Sequence, residues 1–215
     1  MGNKIGKKQA KIPDEDLDFL ATKTNFSRKQ IKDWYKAFTR DCPEGEITRG
    51  KFLEIYAQLF PDGKAKSFYN HLFRTFDVDN SGKIDFKEFL LAISITQDGK
   101  PEEKLDLAFR LYDIDRNGAI EEEEMSEIIK AIYLMVDDEG EIQSDLPPDN
   151  RARSIFQKMD TNSDGVLTKE EFIKGCMNDI SLYNMLTGTN SEDKIENGDE
   201  GNEDENSEGE YSCGD

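Results

Sequence analysis

A pattern of twelve residues occurs three times in the chain and constrains the fold more than any other feature. The copies read DVDNSGKIDFKE at 77–88, DIDRNGAIEEEE at 113–124 and DTNSDGVLTKEE at 160–171. Each has oxygen-bearing side chains at positions 1, 3, 5 and 9, Gly at 6, an aliphatic residue at 8 and Glu at 12. Carboxylates at this density repel one another, so the pattern indicates that a cation is bound among them.

The spacing suits a chain that wraps a single calcium ion. Ca²⁺ takes about six to eight oxygen ligands in a flexible shell, and alternate residues of a curved loop can supply them. The turn in the middle needs a positive φ, which Gly adopts without strain. Position 7 contributes only its carbonyl oxygen, and the last Glu reaches back with both carboxylate oxygens. This is the spacing of an EF-hand loop, and a solvated acidic turn does not account for three complete copies.

We name these segments loop 2 (77–88), loop 3 (113–124) and loop 4 (160–171). The predicted ligands are Asp77, Asp79, Ser81, Lys83, Asp85 and Glu88 in loop 2; Asp113, Asp115, Asn117, Ala119, Glu121 and Glu124 in loop 3; and Asp160, Asn162, Asp164, Val166, Thr168 and Glu171 in loop 4. The predicted cofactor is Ca²⁺, with Mg²⁺ as the alternative occupant at rest. Loop 4 offers three carboxylates where the others offer four, which predicts the weakest binding there.

A fourth, degenerate copy of the unit precedes loop 2. Residues 26–60 carry the same helical apolar stripes, but the segment that we name loop 1 (39–51) is one residue too long. It has Cys42 and Pro43 where ligands belong and Lys51 where the closing Glu belongs, so we predict no Ca²⁺ in loop 1. Because EF-hands work in pairs, the aliphatic residues at position 8 predict short strands that pair between neighbouring loops.

These units predict an all-α fold with two lobes of paired EF-hands. The expected divisions are a basic N-terminus at 1–11, the first pair at 12–97, the second pair at 101–189 and an acidic tail at 190–215. The tail has eleven Asp and Glu residues and one Lys, and it lacks apolar periodicity. That composition predicts disorder.

Composition excludes several classes of function. The net charge of −19 argues against a partner that presents nucleic-acid phosphates. Three widely spaced Cys residues suggest neither a disulfide framework nor a zinc site, and they fit a reducing compartment. The only His, His71, stands in a predicted helix, and no nucleophile–base set is evident, so we expect no enzyme activity.

The chain resembles the neuronal calcium sensor family, which comprises the recoverin, visinin-like and frequenin-like proteins. The resemblance rests on TNFSRKQIKDWYKAFTRDCPEG at 24–45, YAQLFPDGKAKSFYNHLFRTFD at 56–77 and EEKLDLAFRLYDIDRNGAI at 102–120. It implies a cytoplasmic Ca²⁺ sensor that regulates membrane-associated receptor kinases, lipid kinases, cyclases or channels. It also implies myristoylation of Gly2 and extrusion of the acyl chain when Ca²⁺ binds.

The N-terminus combines the acylation-like start with four lysines. Gly6 departs from the Ser or Thr that the acceptor pattern usually has at that position. Lys4, Lys7, Lys8 and Lys11 precede the first acidic residue. One acyl chain anchors a protein only marginally, and lysines near an anionic surface strengthen the attachment. We therefore expect reversible or constitutive association with the inner face of a membrane; the alternative is a solvated lysine-rich end.

The first lobe is rich in aromatic residues, which suggests an apolar groove for an acyl chain or a partner helix. The predicted groove residues are Trp34, Tyr35, Phe38, Ile55, Tyr56, Leu59, Phe86 and Leu90. The simpler interpretation of each is ordinary core packing. For the whole protein, the alternative to a sensor is a Ca²⁺ buffer whose hands barely open.

Overall fold

The computed structural model of the chain describes residues 11–57, 66–136 and 147–187. These residues form ten α-helices: α1 (Asp14–Lys23), α2 (Arg28–Asp41), α3 (Arg49–Ala57), α4 (Lys66–Phe76), α5 (Phe86–Asp98), α6 (Pro101–Tyr112), α7 (Glu122–Val136), α8 (Pro148–Met159), α9 (Lys169–Met177) and α10 (Ile180–Thr187). Four strands of three residues accompany them: β1 (Glu46–Thr48), β2 (Lys83–Asp85), β3 (Ala119–Glu121) and β4 (Val166–Thr168). The predicted all-α class is confirmed.

Each loop lies between two helices and contains one strand. Loop 1 joins α2 to α3, loop 2 joins α4 to α5, loop 3 joins α6 to α7, and loop 4 joins α8 to α9. Helix α1 precedes the first unit and α10 follows the last. The four helix–loop–helix units that the sequence predicts are therefore present, and the structure adds a helix at each end.

Local sequence determines where several helices begin. The side chain of Ser27 caps α2, and Gln30 completes a capping box with it. Asp85 and Thr168 cap α5 and α9 in the same way, so position 9 of these loops serves the following helix as well. Caps of this kind satisfy amide groups that have no partner within the helix. Pro stands within the first turn of α6 and α8, where a missing N–H is tolerated.

The strands pair two by two across neighbouring loops, as the sequence predicts. β1 pairs with β2 in antiparallel register with Ile47 opposite Ile84, and β3 pairs with β4 with Ile120 opposite Leu167. All four of these side chains are buried. The position-8 residues therefore hold each pair of loops together through the backbone ladder and through apolar contact.

Two apolar cores result, and they touch. The first includes Ile12, Leu20 and Phe76, and the second includes Leu105, Tyr112 and Leu186. Phe68 of α4 packs against both cores, and Met135 of α7 packs against the first. Helix α4 also contacts both α6 and α7, so it forms the main connection between the lobes.

Some predicted features fall on residues outside the described part of the chain. These are the acyl site Gly2, the lysines Lys4, Lys7 and Lys8, the groove residue Leu59 and the tail 190–215. Among the helices of the described residues, none combines the length and the apolar character that crossing a bilayer requires.

Candidate metal centres

Loops 2, 3 and 4 share one backbone path with two left-handed positions. The glycines at position 6 have φ of 80°, 89° and 85°, which agrees with the role assigned to them from the sequence. A Cβ on any of them would meet nothing within 4 Å, so the requirement for Gly is conformational. Position 4 is left-handed as well, at Asn80, Arg116 and Ser163, with φ of 58°, 63° and 58°. Sequence reasoning missed this second position, because these residues are not glycines.

The first Asp of each loop is held by the amide of the Gly at position 6. Gly82 donates to Asp77 Oδ2 at 3.0 Å, and the equivalent bonds from Gly118 to Asp113 and from Gly165 to Asp160 measure 3.1 Å. One carboxylate oxygen is thus fixed by the loop backbone. The other oxygen of Asp113 and that of Asp160 are buried and have no hydrogen-bond partner.

Acidic side chains converge inside loops 2 and 3. Asp77, Asp79 and Glu88 each place a carboxylate oxygen within 4.8 Å of the others, and so do Asp113, Asp115 and Glu124. Asp77 is 3% exposed and Asp113 is 7% exposed. Within the described residues, no Lys, Arg or His forms an ion pair with either of them. Buried charges are normally paired or coordinate a metal, so these clusters fit a hard divalent cation.

The closing Glu of loops 2 and 3 reaches back across the loop with both oxygens. Glu88 Oε1 accepts from the amide of Val78 at 2.9 Å, and its Oε2 accepts from the amide of Asp85 at 2.9 Å. Glu124 repeats this arrangement with the amides of Ile114 and Glu121, at 2.8 and 3.0 Å. The carboxylate of each Glu therefore joins the start of the loop to the first turn of the following helix.

Loop 4 differs from loops 2 and 3 at positions 3 and 5, whereas its closing Glu accepts the same two backbone hydrogen bonds. The carboxylate of Asp164 accepts from the amide of Val166 at 3.0 Å and from the side-chain amide of Asn162 at 2.9 Å. Glu171 accepts from the amide and hydroxyl groups of Thr161 and Thr168, and these hydrogen bonds, led by those from Thr168, lower the pKa of its carboxyl. Among the described residues, acidic triads lie in loops 2 and 3 only.

The remaining predicted ligands stand at positions 5, 7 and 9 of the loops. Ser81 donates its hydroxyl to the Lys83 carbonyl at 3.1 Å, and hydrogen bonds from Ser81 lower the pKa of Asp79. The backbone N–H of Asn117 donates to Asp115 Oδ1 at 2.9 Å. The position-7 residues Lys83, Ala119 and Val166 begin the strands, and the position-9 residues Asp85, Glu121 and Thr168 end them. Their role as ligands remains a prediction.

Loop 1 keeps the framework of the other loops, but its acidic residues Asp41, Glu44 and Glu46 form no triad. Gly45 has φ of 82° and β1 follows it directly. Cys42 is buried, and Lys51 pairs with Glu54 at 3.3 Å. Residues 39–51 contribute to neither of the acidic triads found in the described residues.

The predicted groove residues are packed together within the first lobe. Phe38, Phe86 and Leu90 are buried, Trp34, Tyr35 and Tyr56 are half-buried, and Ile55 is exposed. The ring of Phe86 lies 5.0 Å from that of Tyr35 and 5.3 Å from that of Phe38. The prediction missed Phe89, although its ring lies 6.0 Å from that of Trp34 and it directly follows the closing Glu of loop 2. The residues form an aromatic core here, and the open groove stays a prediction.

A separate cavity of about 740 Å³ lies beside loop 2, where helices α1, α5 and α6 meet. Its apolar lining includes Phe19, Val78 and Leu107, and its acidic lining includes Glu15 and Asp16. None of the residues of the predicted groove lines it. Sequence reasoning had no signal for this cavity, because it forms where α1 meets α5 and α6, which are distant from α1 in the chain.

Comparison with known proteins supports this assignment of the units. Two family models, each described as an EF-hand domain pair, match residues 43–92 and 102–177. Neuronal calcium sensor 1 of Lymnaea stagnalis is 42% identical over 184 residues, covering 85% of this chain and 96% of the relative. Human recoverin is 38% identical over 195 residues, with 86% and 93% covered, and S-modulin of Aquarana catesbeiana is 37% identical over 191 residues, with 86% and 92% covered.

Proposed function

The chain belongs to the neuronal calcium sensor family of EF-hand proteins, and on that premise we propose that it is a cytoplasmic Ca²⁺ sensor. It binds about three Ca²⁺, one in each of loops 2, 3 and 4, and loop 1 stays empty. Ion binding exposes apolar surface of the first lobe to membrane-associated target proteins. The protein has no enzymatic role of its own.

One observation carries the proposal. Asp113 is almost completely buried, its Oδ1 atom has no hydrogen-bond partner, and the carboxylates of Asp115 and Glu124 lie within 4.8 Å. Three anionic groups this close destabilise the loop unless a cation neutralises them. The donor set is oxygen only, which favours Ca²⁺ or Mg²⁺ over softer metals. Bound Ca²⁺ supplies this charge neutralisation.

The chain links loop 2 directly to the aromatic core of the first lobe. Glu88 belongs to the first turn of α5, so a reorientation of its carboxylate is transmitted to that helix. Phe86 and Phe89 of the same helix contact the aromatic residues of α2. A rotation of α5 relative to α2 would therefore separate these rings and expose them. This is the change by which sensor EF-hands open.

The partners and location that we propose follow from the family and from the N-terminus. The family resemblance suggests receptor kinases, lipid kinases, cyclases or channels as the target proteins. Gly2 is the proposed acyl site, and the lysines up to Lys11 would add attraction to an anionic membrane. The wild-type chain made with myristate should bind anionic vesicles more tightly than the Gly2→Ala variant.

The sensor role is tested by following surface hydrophobicity and Trp34 fluorescence while Ca²⁺ rises through the micromolar range. Trp34 is half-buried between Phe26 and Phe89, at ring distances of 6.4 and 6.0 Å, so it reports movement of α5 against α2. We expect both signals to change together, with midpoints of roughly 10⁻⁷ to 10⁻⁵ M, the range of sensor sites.

The matched control carries Glu88→Gln, Glu124→Gln and Glu171→Gln, which remove the closing carboxylate of each loop. In this variant the two signals should stay constant over the same range. Ca²⁺ binding by the wild-type protein without change in either signal would identify a buffer rather than a sensor.

A further inference from the structure

Two arginines connect the loops of one lobe to those of the other. Arg74 lies near the end of α4, just before loop 2, and Arg116 occupies position 4 of loop 3. Each reaches across the boundary to backbone carbonyl groups at the start of the other's loop. This reciprocal pair, which we call the arginine clamp, has no role in the sensor mechanism described above.

Arg74 donates to three carbonyl oxygens at the end of α6. Its Nη1 atom lies 2.7 Å from Asp113 O and 3.3 Å from Arg110 O, and its Nη2 atom lies 2.7 Å from Leu111 O. The last carbonyl groups of a helix have no partner within that helix. A guanidinium is well suited to them because it presents several donors in one plane and keeps its charge.

Arg116 donates in turn to backbone carbonyl groups at the end of α4 and the start of loop 2. Its Nη2 atom lies 2.7 Å from Arg74 O and 2.7 Å from Asp77 O. Asp77 and Asp113 are the first residues of loops 2 and 3 and contribute to the two acidic triads. Each lobe therefore holds the backbone of the other lobe's first acidic residue.

The loop itself gives no reason for Arg at position 4. The backbone there is left-handed, and the equivalent residues are Asn80 and Ser163, small polar side chains. A long side chain in this conformation is disfavoured, while Asn tolerates it. The hydrogen bonds across the lobe boundary are the evident compensation for this conformational strain.

We propose that the arginine clamp makes loops 2 and 3 bind their ions cooperatively, with Arg116 as the positioning residue that links them. The inference rests on the proposed function, because both loops must bind Ca²⁺. When Asp77 reorients to bind an ion, its backbone carbonyl group shifts as well, and Arg116 is hydrogen-bonded to that carbonyl. The backbone of Arg116 directly follows Asp115, which belongs to the acidic triad of loop 3. The ordered geometry of one loop thus favours that of the other.

The experiment measures how the state of loop 2 changes the affinity of loop 3. All proteins are full-length and carry Glu171→Gln, so that loops 2 and 3 are titrated without loop 4. The amide signals of Gly82 and Gly118, each bonded to the first Asp of its own loop, report the two loops separately by NMR. The affinity of loop 3 is measured with Glu88 intact and with Glu88→Gln.

With Arg116 present, Glu88→Gln should weaken loop 3 by at least about fivefold, the lower end of typical coupling between sites. Arg116→Asn installs the residue type that loop 2 has at this position. In this variant, Glu88→Gln should weaken the Ca²⁺ affinity of loop 3 by less than about twofold. Arg116→Lys keeps the charge without the planar set of donors, and it should also lose the coupling.

Arg153→Asn is the matched control, since Arg153 bonds Glu122 within the second lobe at 2.8 Å. This variant should keep the fivefold effect. If Glu88→Gln weakens loop 3 equally in the presence of Arg116 and in the Arg116→Asn variant, the inference is overturned, even if the affinities themselves move. Full coupling in Arg116→Lys would overturn it as well. If neither glycine signal responds to Ca²⁺, the proposed function fails and the inference with it.

Discussion

At the scale of the residue, the three complete loops differ in how their acids are used. In loops 2 and 3 the acids at positions 1, 3 and 12 converge within 4.8 Å. In loop 4, position 3 is Asn162, so its acids stand at positions 1, 5 and 12 and form no such triad. Because affinity increases with ligand charge, the order of the sites depends on this difference.

We predict that loop 4 binds Ca²⁺ about an order of magnitude more weakly than loops 2 and 3, because it has one carboxylate fewer. In isothermal titration calorimetry, Glu171→Gln should remove the weakest binding event. Glu124→Gln, the control in loop 3, should remove a tighter one. A wild-type titration in which the event lost with Glu171→Gln is the tightest would contradict this ranking.

At the scale of the element, the two-stranded ladders make each pair of loops one unit. Loop 1 lacks the acidic triad of loop 2, yet its strand β1 supports β2 of loop 2 through Ile47 and Ile84. Lys83 also forms an ion pair with Glu46 across this ladder. The degenerate hand therefore has a structural task that needs no ion.

We predict that Ile47→Ala lowers the free energy of unfolding by about 2 to 5 kcal/mol, the usual range for removing a buried Ile side chain. It should also weaken Ca²⁺ binding in loop 2, because β2 carries Lys83 and Asp85. Urea unfolding measures the first effect and the Gly82 amide signal the second. Ile55→Ala is the control, since Ile55 is 37% exposed and its loss should change stability by less than about 1 kcal/mol. Equal effects of the two substitutions would refute the role of β1.

At the scale of the whole molecule, α4 joins the lobes with polar as well as apolar contacts. His71 of α4 lies with its Nε2 atom 3.3 Å from Glu127 Oε1 of α7, and its side chain is 12% exposed. Burial lowers the pKa of His71 from the ordinary 6.5, Glu127 opposes this, and the nearby Arg74 and Arg49 add to it. The imidazole is therefore neutral in the folded protein at neutral pH.

We predict that His71 makes the protein less stable as the pH falls below 6.5. The unfolded state takes up the proton at its ordinary pKa of 6.5, while the folded state takes it up only at lower pH, so protonation favours unfolding in that window. The urea midpoint of the wild type should fall more steeply as the pH drops from 6.5 toward about 5 than that of His71→Gln. Carboxyl groups titrate in both proteins, so the difference isolates His71, and parallel curves would disprove its contribution.

The backbone framework of the three complete loops was predictable because the features that define it are local. The acids, the Gly at position 6 and the strand residue at position 8 lie within twelve residues, so spacing alone defines the geometry of each loop. The helices were predictable for a related reason, since apolar residues at fixed offsets before and after each loop define one buried face. The family assignment follows from the same segments and is confirmed by the comparisons.

Tertiary structure decided what depends on packing between segments that are distant in the chain. The aromatic residues of the first lobe are packed as a core, and the cavity beside loop 2 has different walls, because the angles between helices determine which side chains meet. The arginine clamp joins residues 36 to 42 positions apart, and periodicity within one helix carries no information about such contacts. Local spacing therefore determined the geometry of the three complete loops, and the packing of α4 against the second lobe determined how loops 2 and 3 are connected.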